Sequence, residues 1–138
     1  MRPRGVRVTW RRSLVAPALA DMLKAAQGET DTASIFSAPP ETLNPPAIVV
    51  GRPIETRFST FALGIDETDL PVVCVGPFYA GEDIVDGLIS FVCAAVLADR
   101  TINGTVPSCT AASSRNWRGV RIGGADMLAA DVVLTVTM

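Results

Sequence analysis

The sequence predicts an α+β fold: one mostly antiparallel or mixed sheet, with a long helix over about residues 82–99 packed on one face and a shorter N-terminal helix. Three observations predict it. Apolar residues recur at three- and four-residue steps through Gly81–Arg100, side chains alternate over Met127–Met138, and compact apolar runs occur at Ala47–Val50 and Leu70–Val75. At 138 residues the chain is read as a single domain, 1–138, long enough to bury a real core.

Residues 1–12 form a basic arm. Arg2, Arg4, Arg7, Arg11, Arg12 and Lys24 stand against Asp21 alone in the first 24 residues, so the body carries the acidic excess behind a net charge of −2. A basic end on an acidic body suits a nucleic-acid or membrane contact, docking on an acidic neighbour, or a solvated terminus. The first twenty residues imitate an export leader, with Arg11-Arg12 ahead of an apolar run and Ala18-Leu19-Ala20 like a cleavage site, but Pro17 interrupts the run. Leu14, Val15, Ala18, Leu19, Met22 and Leu23 continue instead at helical spacing. A helix from about Ser13 to Gln27 is the better reading, with Ser13 as N-cap, Pro17 in its first turn and Gly28 as its stop.

Residues 28–46 read as a long proline-containing loop, either a docking segment or a surface crossing stiffened by Pro39-Pro40 and Pro45-Pro46. Ala47–Val50 is a strand, broken by Gly51-Arg52-Pro53 and resuming over Ile54–Leu63. Gly64–Asp69 is an acidic, solvated turn without the calcium-loop pattern. Leu70–Val75 is a strand buried on both faces. In the long helix Ile84, Val85, Leu88, Phe91, Val92, Ala95 and Val96 form the apolar stripe, while Glu82, Asp83 and Asp86 sit where the helix dipole favours negative charge. Val106–Ile122 and Met127–Met138 then pair as an antiparallel hairpin across Gly123–Asp126.

The chemistry-bearing patterns are few. The chain has no histidine, and Cys74, Cys93 and Cys109 lack the spacing of a metal site, so no metal ligand is assigned. The cysteines read as buried thiols of a reducing compartment. No phosphate loop, dinucleotide fingerprint or nucleophile elbow occurs, so no catalytic or cofactor-binding residue is assigned, no cofactor is expected, and the chain does not read as an enzyme. No apolar run approaches the roughly 18 residues of a membrane-spanning helix, so no membrane partner is expected. The best contact candidates are Arg115, Arg118 and Arg121 around Trp117, a composition found in interaction hot spots and single-strand nucleic-acid platforms. Alternation puts Arg115, Trp117, Gly119 and Arg121 on one side of the strand, and Asn116, Arg118, Val120 and Ile122 on the other.

PPETLNPPAIVVGRP (39–53), LPVVCVG (70–76), the long helix and SCTAASSRNWRGVRIGGADMLAADVVLTVTM (108–138) together resemble small virion proteins from the head–tail region of long-tailed actinobacterial phages. Among these the chain is most similar to tail terminators, from about Pro39 to its end. The resemblance implies a virion subunit, assembled in the host cytoplasm, that forms a homohexameric ring capping the tail tube. Such a ring stops tube polymerisation, binds tail tube protein on one side and a head–tail connector or stopper protein on the other, and lets DNA pass through its lumen without sequence-specific binding. The alternatives are another head–tail connector, such as a stopper or head-completion protein, and a nucleic-acid-binding protein using the basic arm. Subunit or partner contacts are expected at Arg115, Trp117, Arg118 and Arg121 of the hairpin, at Phe36 and Glu41 of the 28–46 loop, and at Arg11 and Arg12 of the arm.

Overall fold

The computed structural model describes residues 12–28, 33–57 and 66–137. The elements run α1 (Arg12–Gln27), β1 (Ser34–Phe36), β2 (Ala47–Val50), β3 (Glu55–Arg57), β4 (Glu67–Pro77), α2 (Glu82–Ala98), β5 (Ser108–Ile122) and β6 (Ala125–Thr137). The strands make one six-stranded mixed sheet in the order β1-β2-β4-β6-β5, with β3 also paired to β4. Among the described residues only β1 and β2 run parallel; the remaining pairs are antiparallel. The α+β architecture expected from the periodicities is therefore the one observed, down to the closing hairpin.

Both helices cover the same face. Val15, Leu19 and Leu23 of α1 and Val85, Leu88, Val92 and Val96 of α2 bury against Ile48 and Val50, Leu70, Val72 and Cys74, and Val132, Leu134 and Val136. Pairing α1 with α2 spares either from standing alone, which a helix this short does poorly in water. They run antiparallel: the Asn103 side-chain amide, beyond the end of α2, donates to the Ala18 carbonyl at 3.4 Å, while Gln27 shares a cavity with Ile84, Gly87 and Leu88. Two members of the expected stripes fall outside the core. Leu14 and Ile84 are exposed, each at the margin of its helix's buried face. Ser13 lies inside α1 rather than capping it, and Pro17 sits in the second turn; Gly28, at φ 74°, ends the helix as expected.

Two boundaries differ from the sequence-based expectation, and a third falls partly outside the described residues. The 28–46 stretch is not structureless, because Ser34–Phe36 pairs with Ala47–Val49 and the Ser34 amide donates to the Pro46 carbonyl at 3.1 Å. β4 begins at Glu67, inside the expected acidic turn, because Arg57 on β3 lies opposite Glu67 and neutralises it across the ladder. β3 covers Glu55–Arg57, while residues 58–63 of the longer expected strand lie outside the described residues.

The break between β2 and β3 has a local cause. Pro71, in mid-β4, has no amide to give, and its carbonyl accepts from the Gly51 amide at 2.8 Å. A Cβ on Gly51 would lie 2.9 Å from the Pro71 ring, so glycine is what fits there. The chain then steps past the proline, and the Ile54 amide resumes bonding to the Asp69 carbonyl at 2.8 Å.

The opposite face of the sheet carries a smaller apolar cluster. Ala47, Val49, Val75, Met127 and Ala129 pack under Leu43, with Phe36, Val73, Val120 and Ile122 at its margin.

Candidate interaction surface

β5 is the outermost strand, and among the described residues only β6 pairs with it. Its residues Thr110–Trp117 are all exposed, so one long edge of backbone donors and acceptors faces outward. Two irregularities interrupt it, between Ala111 and Ser113 and between Arg115 and Arg118. At the second, Arg115 pairs with Asp131 and Arg118 with Ala129, so Asn116 and Trp117 share the single place opposite Ala130. Asn116 absorbs the extra residue at φ 65°, a conformation asparagine tolerates better than most.

This bulge corrects the expected facing of the arginines. Arg115 and Arg118 share the sheet face away from the helices, and Trp117 lines the helix side, so Arg115 and Trp117 do not lie together. Asp131, almost fully buried, holds the bulge in place. Its carboxylate accepts from the Arg118 guanidinium at 3.0 Å and from the Asn116 side-chain amide at 3.2 Å, while Arg118 also donates to the Asn116 carbonyl at 2.8 Å. A buried carboxylate left without these donors is costly, so Arg118 serves the packing of this chain.

On the helix side Trp117, Gly119 and Leu128 face Glu82 and Asp86 across a shallow groove of about 380 Å³, which Arg118 also borders although its guanidinium is turned to Asp131 on the other face. Glu82 and Asp86 are one turn apart on α2 and both are exposed; neither makes an ion pair among the described residues. Trp117 is 42% exposed. Phe78 closes on the groove, since a Cβ on Gly119 would sit 3.3 Å from its ring. Phe78 stacks edge-on against Tyr79 at 5.1 Å, and Tyr79 is 85% exposed. The Phe78-Tyr79 pair was not among the contact residues expected from sequence. The available signal was two adjacent aromatics held between Pro77 and Gly81, outside any apolar period.

The other expected contacts scatter. Arg121 is exposed on β5 opposite Asp126. Glu41 is exposed beside the hairpin tip, where Thr42 and the Glu41 carbonyl crowd the space next to Gly123. Phe36 is half-buried and packs against the smaller apolar cluster. Arg12 opens α1, at the end of the helix pair remote from Glu82; Arg11 lies outside the described residues.

Two further polar groups are internally satisfied. Asp69 accepts two bonds from Arg57, at 2.8 and 3.1 Å, and one from Thr135 at 3.2 Å, and the Arg57 bonds hold its carboxyl below the usual range. Asp99 caps the end of α2: its carboxylate accepts from the Thr101 hydroxyl at 2.7 Å and from the Thr101 and Asn103 amides at 3.0 Å, which lowers its pKa. The three cysteines are free thiols; burial pushes Cys74 and Cys109 up to about 12.

No family model matches the chain, and no curated protein matches its sequence.

Proposed function

We propose that this chain is a structural virion protein, a tail terminator that assembles into a sixfold ring, caps the tail tube, stops its polymerisation and joins the tail to the head connector. The observation that carries this reading is the exposed β5 edge with Trp117, Phe78 and Tyr79 displayed beside it. Aromatic anchors of this kind dominate protein–protein contacts. The resemblance of residues 39–53, 70–76 and 108–138 to phage neck proteins gives the contact its context. A closed ring requires a head-to-tail interface between two different patches of one subunit. The groove beside Trp117 offers one such patch.

Electron microscopy of lysates from cells infected by phage lacking the gene tests the assignment. Over-long or headless tails support the terminator. Tail-less filled heads that leak DNA overturn it in favour of a connector on the portal side, and co-purification with portal protein instead of tail tube protein would agree. For the contact itself, Trp117→Ala with Tyr79→Ala is the informative variant. Arg118→Glu would set a second negative charge against Asp131 and unseat the bulge before any partner was reached.

A further inference from the structure

We propose that the groove between α2 and β5 receives the basic N-terminal segment, residues 1–11, of a second copy of this chain. The inference rests on reading the chain as a self-assembling subunit and names the contact that would join neighbours. The groove has an apolar floor of Leu128 and Gly119, an aromatic wall of Trp117, and a rim of Glu82 and Asp86 that make no ion pair among the described residues. The segment VRVTWR, Val6–Arg11, has the complementary pattern. In extended form it presents Val6, Val8 and Trp10 on one side and Arg7 and Arg11 on the other. The apolar side meets the floor while the arginines reach the carboxylates, and Arg is the side chain best suited to hold carboxylates in pairs.

Position argues for a neighbour's segment. Because α1 and α2 are antiparallel, α1 begins at the Asn103 end of the helix layer, whereas Glu82 opens α2 at the other end. A 17-residue helix spans about 25 Å, so the start of α1, to which the donor segment is joined, and the groove lie at opposite ends of the helix layer. Donor at one end and acceptor at the other is the arrangement that propagates head to tail and closes into a ring when the rotation allows.

The test uses the full chain in two charge-reversed forms, Arg4→Glu with Arg7→Glu and Arg11→Glu, and Glu82→Arg with Asp86→Arg. Self-association is read by sedimentation velocity and mass photometry. Wild type should assemble, each reversed form should associate at least about tenfold more weakly, and mixing the two forms should restore assembly. Wild-type assembly should weaken as salt rises toward 1 M, where the screening length falls to about 3 Å. Wild-type assembly that neither reversal weakens overturns the groove contact and leaves the self-assembling reading standing. A wild type that stays monomeric at every concentration overturns both. Reversed forms that recover only when both sets of changes lie in one chain, and never on mixing, place the segment in its own groove and overturn the contact between copies.

Discussion

The joint between β4 and α2 gives a test in which one substitution, made at two glycines, should act with opposite sign. Gly81 precedes α2, and a Cβ there would collide with the backbone carbonyl of Pro77, which no rotamer change can relieve. The Gly81 carbonyl also accepts the first α2 bond, from the Val85 amide at 2.9 Å, so backbone movement at Gly81 tilts the helix. Overpacking of this kind costs about 1–3 kcal/mol, and the rigid obstacle favours the upper part of that range. Gly87 lies one and a half turns into α2 with nothing within 4 Å of a Cβ. Replacing a glycine inside a helix by alanine gains about 0.5–1 kcal/mol from backbone entropy. At roughly 4 °C per kcal/mol for a chain of this size, Gly81→Ala should lower Tm by roughly 4–12 °C and Gly87→Ala should raise it by roughly 2–4 °C. Urea and thermal unfolding followed by far-UV circular dichroism at matched protein concentration give both numbers. If Gly81→Ala left stability unchanged, or both variants moved the same way, the close approach of Pro77 to Gly81 would be refuted.

The remaining predictions concern polar and thiol groups. The Asp69 carboxyl is held below its unfolded value by Arg57, so its contribution is fully present above about pH 4 and is lost as pH falls through the lower folded value. The Tm difference between wild type and Asp69→Asn should accordingly be largest near neutrality and shrink in acid; a difference constant with pH would sink the assignment. Arg118→Ala should cost about 1–3 kcal/mol by leaving the buried Asp131 carboxylate with the Asn116 amide alone. Pairing it with Asp131→Ala should cost less than the two single losses added together, measured by a denaturant double-mutant cycle. Cys74 and Cys109 are fully buried, with thiols at about 12, and should resist iodoacetamide until the chain unfolds, whereas the half-buried Cys93 should label first; mass spectrometry of timed digests reports the order.

What sequence could reveal here follows the range of the forces involved. α2 and the β5–β6 hairpin were legible because their periods are written in neighbouring residues, and the turn at Gly123-Gly124 needs only its two positive φ values, 60° and 82°. β1 was not legible. Three residues in a proline-rich stretch become a strand because β2 lies beside them. The start of β4 was hidden for the same reason, since Glu67 and Asp69 look like a solvated turn until Arg57 comes into register. The site suffered most. Trp117 was singled out, but strict alternation paired it with Arg115, and only the bulge at Asn116 shows that they face apart. Glu82 and Asp86, read as helix-start charge, also border a groove with β5, whose approach nothing near them in sequence announces.

The proline in β4 has a dynamic consequence. The flank of the sheet beyond β4 is two short strands meeting at a seam, Gly51 to Pro53, with one anchored under α1 and the other fastened mainly by Arg57. Opening of β3 need not disturb β2, because no ladder bond crosses from one to the other at Pro71. Native-state hydrogen exchange should therefore divide at this seam. The amides of residues 54–57 should exchange through a low-energy local opening, and those of β2 only with the unfolding of the core. A sheet built this way can open at one corner while the layer beneath the helices stays shut.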